Sequence, residues 1–445
     1  MKSNFIKGTA ITFTTRILNL LIGIVVSIML ARLLGPEGRG IYALAILIPS
    51  FAVIFTNWGI TSASVYYLGK KKYPPQLVAG NNIVFNTILS VGAIIIMGII
   101  LIFFKDSFFT GVPTNAIVLV LLAIPFLKLS STLNYINLGI HRYFVYNILS
   151  LVGVIVQIII FLILVLTSSF SLLPVIITYL ISSFVVFLIT FIVLKQHLKK
   201  FYYRINKDYL KDTFNYGSKA FLGSIISFFH LRIDQLIINY FLNPIAVGFY
   251  AVAVGLTERL WLLAESTSVI LFPKISSETD EEAKKNFTPV VCRNILLLTV
   301  IGALTLFLLG RWLILLLYSA DFLDALLPFQ ILLLGTISVS GSKILANDIA
   351  GRGKPIINTY INITSLIVNV ILNIIFIPRY GISGAAYATT ISYTLVFLIR
   401  VFIYARISGN KVWDIVFIKM KDWQLYKDFI KSIFKRKKEA NVQSE

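Results

Sequence analysis

Seven charged residues stand inside long apolar stretches of the chain, where a charge is costly. They are Arg16, Lys128, Arg232, Asp234, Glu258, Arg259 and Glu265. A Lys, Arg or Asp at the centre of a membrane helix costs about 2.5–3.5 kcal/mol, so each needs water, an opposite charge or a ligand. Four of the seven are cations, and the guanidinium fork of arginine matches the oxygens of a phosphate. The pattern therefore predicts a hydrated cavity for an anionic cargo.

The surroundings of Arg16 support a cavity. Thr12, Arg16, Asn19, Gly23 and Ser27 recur at intervals of three or four residues, which places small and polar groups along one face of a helix. A face of that kind is not a lipid face. We therefore expect it to line a wet lumen.

The acidic residues leave two roles open. Asp234, Glu258 and Glu265 either pair with the arginines or carry a coupling proton or Na⁺. His230 lies one helical turn before Asp234, so a proton-sensitive pair is one interpretation and a histidine that satisfies a neighbour is the other. Four further cations lie near predicted inner helix ends, where long side chains are expected to extend to the membrane surface: Lys219, Arg293, Lys343 and Arg400.

The elements that must position these residues are membrane helices. With 58% hydrophobic and 13% charged residues over 445 positions, the chain has more apolar surface than a soluble core hides. Apolar runs of about 20 residues, enough to cross the hydrocarbon core, repeat from end to end. They predict an all-α integral membrane protein of twelve spans: 9–30, 41–67, 82–104, 115–138, 144–166, 172–194, 216–241, 247–272, 290–317, 324–346, 356–377 and 383–405.

The distribution of Lys and Arg predicts the orientation and limits the partners. Most of the loop cations fall on one side, which places both termini in the cytoplasm. This topology accounts for the net charge of +21, so we expect no nucleic-acid partner. The chain has a single cysteine and no G-x-x-x-x-G-K-[ST] loop, so we expect no metal or nucleotide cofactor. An ion gradient or the membrane potential is left as the energy source.

An internal echo predicts two parallel halves. The stretch LLGPEGRGIYALA at 33–45 returns as FLNPIAVGFYAVA at 241–253, with Leu, Pro, Gly, Tyr and two Ala in the same register. In each copy Gly35 or Asn243 is expected to end one helix, and Gly40 or Gly248 to permit close approach. An even number of spans per half makes the repeat parallel, with the cargo path between the halves. The predicted regions are a first six-helix bundle at 1–206, a second at 207–407 and a basic amphipathic tail at 408–445.

Three stretches carry a family resemblance. They are the opening through LLGPEGRGIYALA, RIDQLIINYFLNPIAVGFYAVA, and GRGKPIINTYINITSLIVNVILNIIFIPRYGISGAAYATTISY. They resemble the polysaccharide-biosynthesis flippases, the O-antigen-type branch of the multidrug/oligosaccharidyl-lipid/polysaccharide exporter superfamily. The resemblance implies a V-shaped molecule of two six-helix bundles with spans 1, 2, 7 and 8 around a central cavity. It also implies movement of a polyprenyl-pyrophosphate-linked oligosaccharide from the inner to the outer leaflet by alternating access.

The resemblance also implies roles for individual residues. Arg16 matches a lumen arginine of the related peptidoglycan-precursor flippases, and Arg232 with Asp234 occupies a charged patch common in span 7. Those precursor flippases have two further spans that are absent here, which favours a flippase for sugar units of a capsule, O-antigen or exopolysaccharide. We predict that Arg16, Arg232 and Arg259 bind the pyrophosphate, with Lys128 as a weaker contact. The residues expected to line the lumen or contact sugars are Asn19, Tyr42, Asn57, Trp58 and Trp261.

Two other functions stay open, and the partners follow from the main prediction. A multidrug or small-cation antiporter on the same scaffold should present an acidic lumen. A membrane saccharide polymerase or ligase should carry catalytic residues in its outer loops, which are short here, so we expect no enzyme. We expect a multi-pass monomer in the cytoplasmic membrane, whose tail meets anionic lipids. Glycosyltransferases and a polymerase of the same pathway are the candidate protein partners.

Overall fold

The regular structure of the chain is helical throughout its described part. This computed structural model describes residues 2–420 and Asp422, with backbone alone for 2–13, 219, 220, 269, 270, 273 and 277. The helices are α1 Lys2–Thr56, α2 Ile60–Gly69, α3 Pro75–Phe108, α4 Thr114–Gly139, α5 Tyr143–Leu166, α6 Leu172–Leu198, α7 Lys207–Phe241, α8 Pro244–Thr257, α9 Trp261–Ser277, α10 Glu281–Leu317, α11 Leu326–Gly351, α12 Pro355–Tyr380, α13 Ile382–Ser408 and α14 Val412–Val416. Two 3₁₀ turns, Glu258–Leu260 and Ala320–Ala325, complete the order.

Eleven helices in the described chain are long and apolar enough to cross a membrane. The first candidate, Thr14–Thr56, has 43 residues, about twice the length that one crossing needs. Inside it Gly35 leaves the helical conformation, with φ 68° and ψ −178°, and Pro36 follows. The predicted end of a helix at Gly35 is therefore confirmed. The count of twelve spans stays a prediction.

Two apolar stretches are interrupted close to predicted site residues. Between α1 and α2 the chain leaves the helix at 57–59, where Trp58 and Gly59 have φ of 41° and 68°. Between α8 and α9 it tightens into the 3₁₀ turn Glu258–Leu260. In membrane proteins, irregular backbone is tolerated where it is buried in protein or lines a cavity. Both interruptions are therefore candidate positions for function.

The chain forms two compact units. Unit 1 comprises Met1–Gly255, Gly310–Phe329 and Leu366–Ala388, and unit 2 comprises Leu256–Leu309, Gln330–Ser365 and Thr389–Glu445. One buried cluster of unit 1 joins α2, α3, α4 and α6 to Phe201 and Tyr209. The core of unit 2 gathers residues of α9, α10, α11 and α13. The predicted region boundaries at 206 and 407 stay predictions.

The two copies of the echoed motif touch each other within unit 1. A Cβ built on Gly40 would lie 1.7 Å from the carbonyl oxygen of Pro244, and a Cβ on Gly248 would lie 2.0 Å from that of Pro36. The contact is reciprocal, and the prediction that both glycines permit close approach is confirmed. Asn243 does not end α7, which stops at Phe241; its side chain accepts a 2.9 Å hydrogen bond from the backbone N–H of Ala246 at the start of α8.

Two arginines that were expected to reach the membrane surface are buried instead. Arg293 is 6% exposed and its Nη2 donates to Asp422 at 2.7 Å. Arg400 is 4% exposed and its Nη2 donates to Asn362 at 3.0 Å. The prediction is wrong for both, because partners inside the protein replace water. The Lys219 side chain lies outside the described residues.

The chain after α13 folds back onto unit 2. Ile415 of α14 is fully buried in its core. Burial would raise the pKa of Asp422, but hydrogen bonds from Arg293 and from the backbone N–H of Lys419 hold it below its usual value. Residue 421 and residues 423–445, which include most of the predicted amphipathic tail, lie outside the described part.

Candidate functional site

Arg16 and Asn19 carry polar groups that have no hydrogen-bond or ion-pair partner in the described part of the chain. Arg16 is exposed on α1, within electrostatic reach of Tyr146 on α5, and no described carboxylate pairs with it. The Oδ1 atom of Asn19 is buried and has no hydrogen-bond partner in the described chain. The two residues are three positions apart, so they share a helical face. The exposed guanidinium fork of Arg16 is therefore available to a ligand, next to an amide oxygen whose hydrogen bond is not satisfied by the described chain.

Arg259, like Arg16, has no polar partner among the described residues. It lies half-buried in the 3₁₀ turn Glu258–Leu260 of unit 2, and it has no hydrogen bond or ion pair within the described residues. Glu258 beside it does have a partner. A cation at an interrupted helix matches the pattern in which broken membrane helices present charge to a cargo.

The charged residues of α7 have partners within the protein. Asp234 is 4% exposed, and its Oδ2 accepts a 2.6 Å hydrogen bond from the hydroxyl of Tyr250 on α8. The shared tyrosine of the second motif copy thus ties α8 to α7. Arg232 donates from Nη1 to the carbonyl of Leu231 at 2.9 Å, and neither Arg232 nor His230 is without a further partner. A role for these three residues in binding or coupling stays a prediction.

Lys128 is enclosed by the helices of unit 1. Its side chain is 1% exposed, and Nζ donates to Oδ1 of Asn57 at 3.3 Å. Asn57 belongs to the interruption between α1 and α2, and the next residue, Trp58, stacks on Phe221 of α7 with ring centroids 5.1 Å apart. Tyr42, another predicted lining residue, is only 7% exposed. Lys128 and Asn57 therefore lie together as a closed pair in this conformation.

Glu265 is neutralised by a lysine whose role the sequence did not reveal. Nζ of Lys343 lies 2.5 Å from Oε1 of Glu265 and 4.4 Å from the ring centre of Trp261. The Lys343 side chain is 29% exposed and that of Glu265 is 48% exposed. Lys343 covers a face of the Trp261 ring, and Tyr393 packs against the same ring at 6.2 Å. The only sequence signal for Lys343 was a charge inside an apolar stretch.

Comparison with known proteins decides the family. A family model described as polysaccharide biosynthesis protein matches residues 29–327, more than half of the chain. The chain belongs to this family. It is a multi-pass membrane protein, in agreement with the eleven apolar helices.

Relatives of this polysaccharide biosynthesis protein come from archaea and bacteria. It is 28% identical over 255 residues to an uncharacterised membrane protein of Methanocaldococcus jannaschii, covering 54% of this chain and 50% of that protein. It is 25% identical over 188 residues to the probable low-salt glycan biosynthesis flippase Agl15 of Haloferax volcanii, covering 42% and 40%. These matches span half or less of the relatives' lengths. The capsular polysaccharide biosynthesis protein CapF of Staphylococcus aureus is 24% identical over 423 residues, covering 90% and 100%.

Solved structures show the same fold. The lipid II flippase MurJ in an inward closed conformation matches with a TM-score of 0.75 at 20% identity, covering 92% of this chain and 89% of MurJ. An inward-facing multidrug resistance MATE transporter matches with a TM-score of 0.70 at 15% identity, covering 88% and 94%. Both likenesses concern the architecture alone. The resemblance inferred from the sequence motifs is confirmed by the family match.

Proposed function

We propose that this protein is a flippase that moves a polyprenyl-pyrophosphate-linked oligosaccharide from the inner to the outer leaflet of the cytoplasmic membrane. One observation carries the proposal: Arg16 and Arg259 have no carboxylate partner among the described residues, although both stand in apolar stretches. A cation inside a membrane span is costly without a counter-ion, and a diphosphate headgroup supplies the missing charge. The family membership and the names of CapF and Agl15 support a saccharide cargo.

The helices divide into twelve spans under this proposal. Gly35 separates the long first helix into two crossings, and both termini are cytoplasmic. The halves 1–206 and 207–407 are then parallel repeats of six spans each. The reciprocal contact of Gly40 with Pro244 and of Gly248 with Pro36 supports this division, because matched segments of two repeats are expected to meet across a pseudo-twofold axis.

Charge favours an anionic cargo over a cationic one. A cation antiporter needs free acids in its path, but Asp234 accepts from Tyr250 and Glu265 is paired with Lys343. Arg16 and Arg259 have no such partner among the described residues. The balance of available charge in the described spans is therefore positive, which disfavours the antiporter.

The membrane potential drives the headgroup in the required direction. The cytoplasmic side is electrically negative, so an anion gains free energy when it moves outward. The gain is about 2.3 kcal/mol per elementary charge per 100 mV. A diphosphate carries up to about two charges across, so a potential of about 100 mV makes about 4.6 kcal/mol available without a coupled ion.

Deletion of the gene in its native cell tests the function. We expect lipid-linked saccharide units to accumulate on the inner leaflet, where they are protected from a saccharide-cleaving enzyme added outside. Arg16→Lys restores export in part, because a lysine keeps the charge but loses the two-pronged geometry. Arg16→Ala fails to restore it. Arg379→Ala, which removes an exposed arginine at the end of α12, is the matched control and restores export fully. Equal export by the Arg16→Ala and Arg379→Ala proteins would refute the role of Arg16.

A further inference from the structure

The segment between α1 and α2 lies directly against α7. A Cβ built on Gly59 would lie 2.3 Å from Cα of Gly217, and one built on Gly217 would lie 2.2 Å from the carbonyl oxygen of Trp58. Only two glycines allow the backbones to come this close. One turn further along α7, Phe221 stacks on the ring of Trp58 at an interplanar angle of 13°.

Side chains continue this contact toward the start of α7. The rings of Tyr66 and Tyr216 stack with centroids 4.3 Å apart. At the far end Asp212 accepts hydrogen bonds from Nζ of Lys72 and from the hydroxyl of Tyr73, both at 2.5 Å. The contact thus runs along about two and a half turns of α7, and a single ion pair closes its end.

Three features of this contact are typical of an interface that opens: an exposed ion pair, a partly exposed aromatic side chain and an interrupted helix. The Lys72 and Asp212 side chains are 51% and 27% exposed, and exposed ion pairs contribute little to stability. Trp58 is 41% exposed, unlike the fully buried side chains of a permanent core. The two left-handed residues at 58 and 59 interrupt the helix, and hinges are commonly a few such residues between elements.

A second glycine contact lies at the other end of the same helical segment. The stretch from Pro36 to Thr56 is long enough to cross the membrane once. Gly40 near its start meets Pro244, and Gly59 just beyond its end meets Gly217. Both ends of this span are therefore closed against second-half elements of unit 1 at the same time.

We propose that the Gly59–Gly217 contact is a cytoplasmic seal, held by the Lys72–Asp212 ion pair as its latch, and that the Gly40–Gly248 contact is the matching outer seal. The proposal rests on the proposed function, because a headgroup that enters from the inner leaflet must pass a contact that opens. In the structure both contacts are closed at the same time. Opening of the latch admits cargo on the cytoplasmic side.

Cysteine labelling from the cytoplasmic face tests the latch. The reporter is Thr213→Cys in a Cys292→Ser background, because Thr213 is 2% exposed on α7 next to the latch. Lys72→Asp places two carboxylates together and is expected to raise the labelling rate by a water-soluble maleimide about two- to fivefold. Lys71→Asp makes the same charge change at an exposed neighbour and leaves the rate unchanged. The swap Lys72→Asp with Asp212→Lys restores the slow rate. Equal rates for Lys72→Asp and Lys71→Asp would overturn the proposal.

Substitution of the seal glycine gives an independent test. Gly217→Ala is expected to raise the same labelling rate, since the new Cβ meets backbone atoms that cannot rotate away. Gly98→Ala on α3 is the control, because its Cβ would meet no other part of the protein within 4 Å. An unchanged rate in correctly folded Gly217→Ala protein would contradict a seal at this position.

A reversible cross-link separates this proposal from the proposed function. Tyr66→Cys and Tyr216→Cys, joined by a short reagent with a cleavable disulfide, should abolish translocation of a polyprenyl-diphosphate saccharide in vesicles until the link is reduced. Unimpaired translocation by the linked protein would overturn the seal. If the unlinked protein moves no saccharide, the proposed function fails, whereas the labelling rates still report whether the latch controls access.

Discussion

Substitution of Gly40 by alanine tests the contact between the two motif copies. The added Cβ would start 1.7 Å from the carbonyl oxygen of Pro244, whereas ordinary contacts begin at 3.4 Å. It would also lie 2.7 Å from the carbonyl carbon and 2.9 Å from the backbone nitrogen of Gly248. All three are backbone atoms, so no side-chain rotation relieves the overlap. The part of α1 around Gly40 must therefore move away from the start of α8.

The expected cost follows from two opposing terms. Overpacking of a close contact costs about 1–3 kcal/mol, and backbone obstacles favour the upper part of that range. Alanine is better than glycine inside a helix by about 0.5–1 kcal/mol. We therefore expect Gly40→Ala to lower the free energy of unfolding by about 1–2 kcal/mol. Gly98→Ala, whose Cβ meets nothing within 4 Å, should instead raise it by up to about 1 kcal/mol.

Thermal unfolding of the purified protein in detergent is the assay, with the Gly98→Ala variant measured beside it. Gly248→Ala should show a similar loss, because its Cβ meets the carbonyl of Pro36 at 2.0 Å. The double variant should lose less than the two single losses added, since one displacement relieves both overlaps. Equal stability of Gly40→Ala and Gly98→Ala would refute the contact. Full additivity of the two single losses would refute its reciprocal character.

Three further predictions concern single charged groups. Asp422→Asn leaves the buried Arg293 guanidinium without its counter-ion, so the free energy of unfolding should fall by about 3–5 kcal/mol, and an unchanged value in a thermal melt would contradict the pairing. Lys128→Met removes a buried ammonium that has only Asn57 as a hydrogen-bond partner in the described chain. The melting temperature of the variant should therefore equal or exceed that of the unchanged protein. A large decrease would show that the ammonium stabilises the fold. Hydrogen bonds from Lys72 and Tyr73 hold the pKa of Asp212 below its ordinary 3.8. The latch therefore contributes fully above pH 3.8 and is lost as the pH falls through the lower pKa of the folded protein. The effect of Asp212→Asn on maleimide labelling should accordingly be constant from about pH 5 to about pH 8, and an effect that changes within this range would contradict the ion pair.

Much of the fold was accessible from local pattern. Long apolar runs predicted the helices, because hydrocarbon demands internally satisfied backbone over a fixed length. The echoed motif predicted the close approach at Gly40 and Gly248, because a glycine repeated in register indicates the same steric need twice. The sequence was less informative about 57–59, where only an asparagine and a glycine marked the interruption.

The pairing of charges was not accessible from the sequence. Arg293 and Asp422 are 129 positions apart, and Lys343 and Glu265 are 78 apart. No local rule joins such residues, so a buried arginine with a distant partner resembles one that extends to the membrane surface. The same limit applies to Lys128, whose apolar surroundings in the sequence gave no indication that Asn57 would accept its hydrogen bond. Arg16 differs, because its helical face already showed a polar environment.

Translocation by purified protein in sealed vesicles is the most direct test of the account. The probe is a fluorescent polyprenyl-diphosphate saccharide whose exposure on the receiving leaflet is read with an impermeant quencher. We predict transfer that accelerates when the receiving side is made positive, slows when the potential is reversed, and falls to background with Arg16→Ala while Arg379→Ala remains active. Transfer that ignores the sign of the potential and the loss of Arg16 would contradict a path that selects the anionic headgroup by its charge.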